Sequence, residues 1–291
     1  MNCMNSDPRL PPELEREIFE LLAYNCAPMR YPLLLVARRV FAWIEPTLYE
    51  TLVFRATNLA VHADTIVNIC ATERVDDPDF LARHVRRIVF DNASSAMYRL
   101  DTYPHTTHIA IAQSHYTAVL VDLLLKVKNI RHLVLYHTTL GEHRRVLPAL
   151  VHLTHLSLLE PFDTMTAFCS ALPALTHLSV HLHGNGDHEW KEFQPLLDLA
   201  APGPRLSQLV ILDFIGAKSI PIMALRIPAG LRDSRLVLTY WMDFFEGVVD
   251  GYDGEKRENF WDVAARFVRE KSAGKHAESH NSMNGQTISG S

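Results

Sequence analysis

An apolar-x-x-apolar-x-apolar pattern recurs along this chain. Val85, Ile88 and Phe90 carry it first, then Ile130, Leu133 and Leu135, then Leu153, Leu156 and Leu158. Leu175, Leu178 and Val180 follow, then Leu206, Leu209 and Ile211, and a looser copy ends on Leu236 and Leu238. Each copy reads as a short strand with its apolar residues on one face. The central positions 133, 156 and 178 lie 23 and 22 residues apart, and the next steps, to 209 and 236, are 31 and 27. The interval from 88 to 133 is 45, the length of two units. Helical spacing fills the gaps. Ser114 is placed to cap a helix carrying Tyr116, Val119, Leu120, Leu123, Val127 and Ile130. Asp163 is placed likewise before Met165, Phe168 and Leu172, and Asp187 before Trp190, Phe193, Leu196, Leu197 and Leu199; residues 143–150 offer a shorter helix.

A period of ~20–29 residues on Leu-x-x-Leu-x-Leu is the signature of leucine-rich repeats, whose strand–loop–helix units each bury a face against their neighbours. These copies lack the Asn or Cys position that follows in the repeat consensus. The expectation is therefore an α/β fold, an irregular leucine-rich-repeat-like solenoid with parallel strands and outer helices. The residue before each central apolar position is Arg87, His132, His155, His177, Gln208 or Arg235. These point to the opposite face and stack in one column at ~4.8 Å between strands. Val89, Val134, Ser157, Ser179, Val210 and Val237 share that face. It is the concave surface that solenoids use for binding. His132, His155, His177 and Gln208 are accordingly the candidate substrate-binding residues, with imidazoles that repel if all are charged. The alternative is a row of exposed strand positions with no role. A helix over 256–271, apolar at Phe260, Trp261, Val263, Ala264 and Phe267, reads as a cap over the open edge of the last repeat. Residues 272–291 are small and polar and read as disordered.

Ahead of the repeats the period changes to helical. Leu10-Pro11-Pro12-Glu13 opens a helix, since proline is tolerated in a first turn, and Glu13, Glu15 and Glu17 suit its positive end. Leu14, Ile18, Leu21 and Leu22 fall on one face. Asn25 to Pro32 reads as a breaker, and Leu33 to Ile44 as a second helix ended by Pro46, with Arg38 and Arg39 on its wet side. About 45 residues bury little surface alone, so an apolar face here leans on the rest of the chain or on a partner.

This segment resembles the F-box. The resemblance rests on Leu10-Pro11-x-Glu13, on Ile18-Phe19, and on Leu35-Val36-x-Arg38-Arg39 followed by Trp43, and it covers residues 10–54. The run from Val36 to Phe54 is similar to F-box-like proteins of mushroom-forming fungi. The segment from Ala23 to Pro32 is longer and more irregular than in a typical F-box. The resemblance implies a small helical module that docks on the Skp adaptor of a cullin-RING ubiquitin ligase, with Leu10, Pro11, Ile18, Leu35 and Val36 as the adaptor-binding residues. The intramolecular alternative packs them on Val85 to Phe90 and the first repeat. The expected organisation is an F-box-like module over 1–55, the repeat domain with its capping helix over 56–271, and a tail over 272–291. The implied function is a non-catalytic substrate receptor, holding an unknown protein substrate for ubiquitin transfer by other subunits. The competing reading is a repeat scaffold with a vestigial F-box and no ligase role.

Composition narrows the alternatives. A net charge of −5 and a pI near 6.3 argue against a nucleic-acid protein. No apolar run approaches the ~18 residues of a membrane span, and the N-terminus lacks the basic start and apolar core of a signal peptide. Cys3, Cys26, Cys70 and Cys169 are scattered with no Cys-x-x-Cys, so they read as reduced thiols of an intracellular protein, cytoplasmic or nuclear. Sixteen histidines invite a metal hypothesis, and His177, His181, His183 and His188 cluster most densely, but without the spacing of a zinc site. Neither a nucleophile elbow nor a phosphate loop is present. The turn from Asp250 to Glu255 fails as a calcium loop, because Tyr252 and Gly254 stand where acids are needed. No catalytic residue, cofactor or metal is expected.

Overall fold

The structure is a computed structural model that describes residues 10–54, 77–90, 102–111, 117–135, 143–158, 165–182, 193–198, 206–213, 233–240 and 260–274. The segments 56–76, 183–192, 241–259 and 275–291 lie outside the described residues, as do the capping positions Ser114, Asp163 and Asp187.

Three helices come first: α1 (Pro12–Asn25), α2 (Arg30–Leu34) and α3 (Arg38–Leu48). Strand β1 (Thr51–Phe54) follows, then α4 (Phe80–His84), β2 (Arg87–Phe90), β3 (His108–Ile111), α5 (Thr117–Lys126) and β4 (His132–Leu135). The chain continues with α6 (His143–Val146), which runs into a 3-10 turn at Leu147–Leu150, then β5 (His155–Leu158), α7 (Met165–Ser170) and β6 (His177–Leu182). It ends with α8 (Gln194–Leu197), β7 (Gln208–Asp213), β8 (Leu236–Tyr240) and α9 (Phe260–Ser272).

The strands form one eight-stranded open sheet in which each pairs in parallel with the next, from β1 to β8. Register follows the sequence pattern: Ile88, Ile109, Leu133, Leu156, Leu178, Leu209 and Leu236 are successive partners. The fold is α/β, with the parallel strands that the periodicity predicts. Strand β3 is the unit hidden in the interval of 45. Its Ile109 stands 21 residues after Ile88 and 24 before Leu133. Thr106 takes the place that Val85, Ile130, Leu153, Leu175 and Leu206 hold in the other copies, and so breaks the pattern. Thr106 is nonetheless fully buried, like its counterparts. Several units enter their strand through the same tight turn, closed from Thr106 N–H to the Tyr103 carbonyl, from Leu153 N–H to Leu150 and from Leu175 N–H to Leu172.

The leucine side of the sheet and the helices α5 to α8 bury one continuous core. Ile88, Ile109, Leu133, Leu156, Leu178 and Leu209 meet Val121, Leu124, Val146, Phe168, Cys169 and Leu196 there. Cys169 is inert packing, its thiol pushed up to about 12 by desolvation.

The N-terminal helices differ from expectation in two places. The expected breaker holds a 3-10 turn at Ala27–Met29 and the start of α2. Pro32 fits because amides in a first helical turn have no intrahelical partner. The expected helix over 33–44 is instead interrupted at Ala37, whose backbone is extended (φ −162°, ψ 156°), and α3 then runs through Pro46 to Leu48. Pro46 sits in the last turn, where its own carbonyl still accepts from Tyr49 N–H. A small core of Ala23, Leu33, Val40 and Ile44 holds the three helices together. Arg39 grips Glu15 through two hydrogen bonds of 3.1 and 2.6 Å, and Arg30 Nε donates to the Ala23 carbonyl near the end of α1.

Candidate functional site

The column of residues preceding the central leucines exists as expected, and β3 adds His108 to it. His108, His132, His155 and His177 stand in register on β3 to β6. Successive ring centroids are 4.0 Å apart, with interplanar angles of 25°, 10° and 10°. A threonine precedes three of these histidines, and the Thr107, Thr154 and Thr176 hydroxyls lie 2.8, 2.9 and 2.8 Å from the following Nδ1. Each hydroxyl also donates to a carbonyl of the preceding unit, Arg86, Arg131 and Thr154 respectively. A hydroxyl has one proton to give. Where that proton goes to the carbonyl, Nδ1 carries the ring proton and donates to the threonine.

Four imidazoles at this spacing remain neutral. Desolvation, reinforced for His108 by Arg87 and for His132 and His155 by neighbouring histidines, holds their pKa values far below the ordinary 6.5. The values are about 3 for His108 and His132, about 2 for His155 and about 4 for His177, where burial acts alone. The stack is no metal centre. Two imidazoles on one zinc ion aim their nitrogens at a common point ~2.0–2.1 Å away, which parallel rings cannot do. Among the described residues no cluster of three or more His, Cys, Asp or Glu side chains is arranged for a metal ion. His183, His188 and the turn over 250–255 lie outside the described residues.

The face that carries the column is covered where it was expected to be open. Helix α9 packs across it, with Phe260, Trp261, Ala264 and Phe267 against Val210 of β7 and Val237 of β8. Trp261 also stands edge-on to His155 and His177. The expected capping helix thus lies over the sheet face from β5 to β8. The same face also carries a buried polar cluster. Ser157 Oγ lies 2.5 Å from Ser179 Oγ and 3.2 Å from His181 Nε2, and all three residues are buried. Gln208, next in the column after His177, is 4% exposed, and its Oε1 has no hydrogen-bond partner among the described residues. Of the candidate substrate-binding residues, His132 is partly exposed, His155 and His177 meet Trp261, and Gln208 is buried. Arg235 turns back on its own chain, bonding Asp233 and the Leu197 and Leu206 carbonyls.

The second candidate surface is on the N-terminal helices. Leu10, Pro11, Ile18, Leu35 and Val36 are all exposed, Leu35 at 87% and Ile18 at 52%. Leu14, Leu21 and Leu22 are exposed beside Ile18, so the apolar stripe of α1 is directed outward. The alternative of packing it on Val85 to Phe90 is not what the structure shows. Helix α1 buries Ala23 and half-buries Phe19 instead, the latter 6.5 Å from Trp43 between ring centroids.

Comparison with known protein families, with curated proteins and with solved structures finds no match for this chain. The fold is that of an α/β protein with an all-parallel open sheet and a helical N-terminal module. Among the described residues no helix is long and apolar enough to cross a membrane.

Two elements of the site escaped the sequence reading. His108 was hidden by Thr106, although the dipeptide Thr107-His108 matches Thr154-His155 and Thr176-His177. Burial of this face had a signal too. Val89, Val134, Val210 and Val237 on the column face are apolar where an open face would be polar, and all are buried.

Proposed function

We propose that this chain is a non-catalytic substrate receptor of an SCF-type cullin-RING ubiquitin ligase, with its F-box-like helices docking on the Skp adaptor and its repeat sheet receiving a protein substrate. The observation that carries this reading is the exposure of Leu10, Ile18, Leu35 and Val36, the residues that the F-box resemblance assigns to the adaptor. Isolated exposed leucines are ordinary, but a contiguous apolar set marks an interaction site. Here α1 presents Leu14, Ile18, Leu21 and Leu22 together while spending Ala23 and Phe19 on its own small core. The Arg39–Glu15 clamp and the Arg30 contact fix the three helices relative to one another, so the face is preorganised for docking.

The test is co-purification with the Skp adaptor of the same organism. The wild type is expected to bind, and an Ile18→Asp/Leu35→Asp variant, with both changes at exposed positions, is expected to lose binding with an unchanged circular dichroism spectrum. A well-folded wild type that does not bind would leave the sheet as the functional part and the N-terminal helices as a vestigial F-box.

A further inference from the structure

The chain enters strands β2 to β6 through five equivalent segments: Ala82 to Arg87, Tyr103 to His108, Val127 to His132, Leu150 to His155 and Leu172 to His177. The fourth residue of each is buried, as the apolar pattern requires. The second residue is exposed in all five, and these residues are Arg83, Pro104, Lys128, Val151 and Pro173 in strand order. The fifth residues are Arg86, Thr107, Arg131, Thr154 and Thr176, none of them buried. Backbone bonds tie this second row together, from Thr107 N–H to the Arg86 carbonyl, from Arg131 to Thr107, from Thr154 to Arg131 and from Thr176 to Thr154. Both rows therefore run along one rim of the sheet, at ~4.8 Å per strand.

The rim has a charge of its own. The five segments contain Arg83, Arg86, Arg87, Lys128 and Arg131 and no Asp or Glu, in a chain whose net charge is −5. Asp77 meets Arg83 and Glu50 meets Arg87. Arg86, Lys128 and Arg131 have no acidic partner among the described residues. In both rows the cations fall on β2 and β4 and the uncharged residues on β3 and β5. Apolar surface lies beside them. Outside the N-terminal helices, Leu125 and Val151 are the large apolar side chains that stand exposed among the described residues. Val151 is the counterpart of Lys128 one strand on, and Leu125 precedes Lys128 by three residues. An apolar set rimmed by charge of one sign is the mark of an interaction surface.

We propose that this rim is a docking surface for an acidic segment of a partner protein, with carboxylates reaching Arg86, Lys128 and Arg131 and an apolar side chain between them resting on Val151 and Pro104. Its carboxylates lie two strands apart, about 10 Å, which every third residue of an extended chain matches at ~3.3 Å per residue. The proposal rests on the receptor reading only in calling that partner a substrate. Adaptor binding does not enter its test, so the two readings fail separately.

The probe is a fluorescein-labelled peptide of repeated Asp-Leu-Ser, titrated into the full chain and followed by anisotropy. The wild type is expected to bind it at least ten times more tightly than a Lys128→Glu/Arg131→Glu chain with the same circular dichroism spectrum, and than it binds a peptide of repeated Lys-Leu-Ser. Raising the salt concentration should weaken the binding, since exposed charges are screened. A Val151→Ser chain should bind more weakly at every salt concentration. No binding by the wild type, or equal binding by the doubly substituted chain, would overturn the proposal. Tighter binding of a poly-uridine oligonucleotide than of the peptide would assign the rim to nucleic acid and overturn it too. Hydrogen exchange locates the contact: saturating peptide should protect amides within 103–107 and 127–131. Protection confined to residues 10–41 would place the peptide on the N-terminal apolar face instead and end the proposal.

Discussion

Trp261 stands edge-on to the imidazole of His155, with ring centroids 5.3 Å apart and planes at 79°. The contact joins the last described helix to the middle of a histidine column that spans four strands. It helps to cover the His155 ring, whose pKa is lowered mainly by burial.

The column makes stability pH-dependent. Its histidines titrate at about 2 to 4 in the folded protein against an ordinary 6.5. Between those values the unfolded chain takes up protons that the folded chain refuses, so stability is fully present above 6.5 and is lost as pH falls below it. The urea midpoint should therefore drop between pH 7.5 and pH 5. A His132→Gln/His155→Gln variant should show a shallower drop over the same range, and a wild-type midpoint that stays level would refute the assignment.

Thr106 is fully buried and its hydroxyl has no hydrogen-bond partner among the described residues. Valine has nearly the same shape without the hydroxyl, and its relatives Ile130, Leu153 and Leu175 hold the equivalent place. Thr106→Val should stabilise the chain by about 1 kcal/mol, the lower end of the cost of an unpaired buried polar group. Chemical denaturation measures this, and a loss of stability would show that the hydroxyl is satisfied in solution.

Ser157 is the hub of the buried polar cluster, bonding both Ser179 and His181, whereas Ser179 is bonded there to Ser157. Ser157→Ala should cost about 1–3 kcal/mol and more than Ser179→Ala. The double variant should cost less than the sum, because the shared bond is lost only once. A larger cost for Ser179→Ala would contradict this arrangement.

In the N-terminal helices, buried and exposed positions should separate cleanly. Ile44 is fully buried in the small core, so Ile44→Ala should destabilise the module by about 2–5 kcal/mol. Leu35 is 87% exposed, so Leu35→Ala should change stability by less than about 0.5 kcal/mol. Thermal unfolding of the two variants compares them directly.

The sheet was legible because a parallel strand of this kind writes its buried face into the sequence. Leu133, Leu156 and Leu178 predicted both their strands and their pairing. Thr106 hid one strand because a single polar residue replaced the leading leucine. Which face of α1 is buried was not legible: Leu14, Ile18, Leu21 and Leu22 have helical spacing whether they meet a core or a partner. Ala23 and Phe19 won the interior because α3 presents Val40 and Trp43 to them. The position of α9 depends on tertiary packing that periodicity cannot specify. Its apolar side reads the same over an edge or over a face.

Docking of the Skp adaptor on the outward apolar face of α1 and the residues after α2 is a proposal with a direct physical consequence. Hydrogen exchange of the full chain with and without that adaptor tests it most directly. The account predicts protection confined to residues 10–41, with β4 to β7 unchanged. Unchanged exchange over residues 10–41 at saturating adaptor, or protection confined to the sheet, would contradict it.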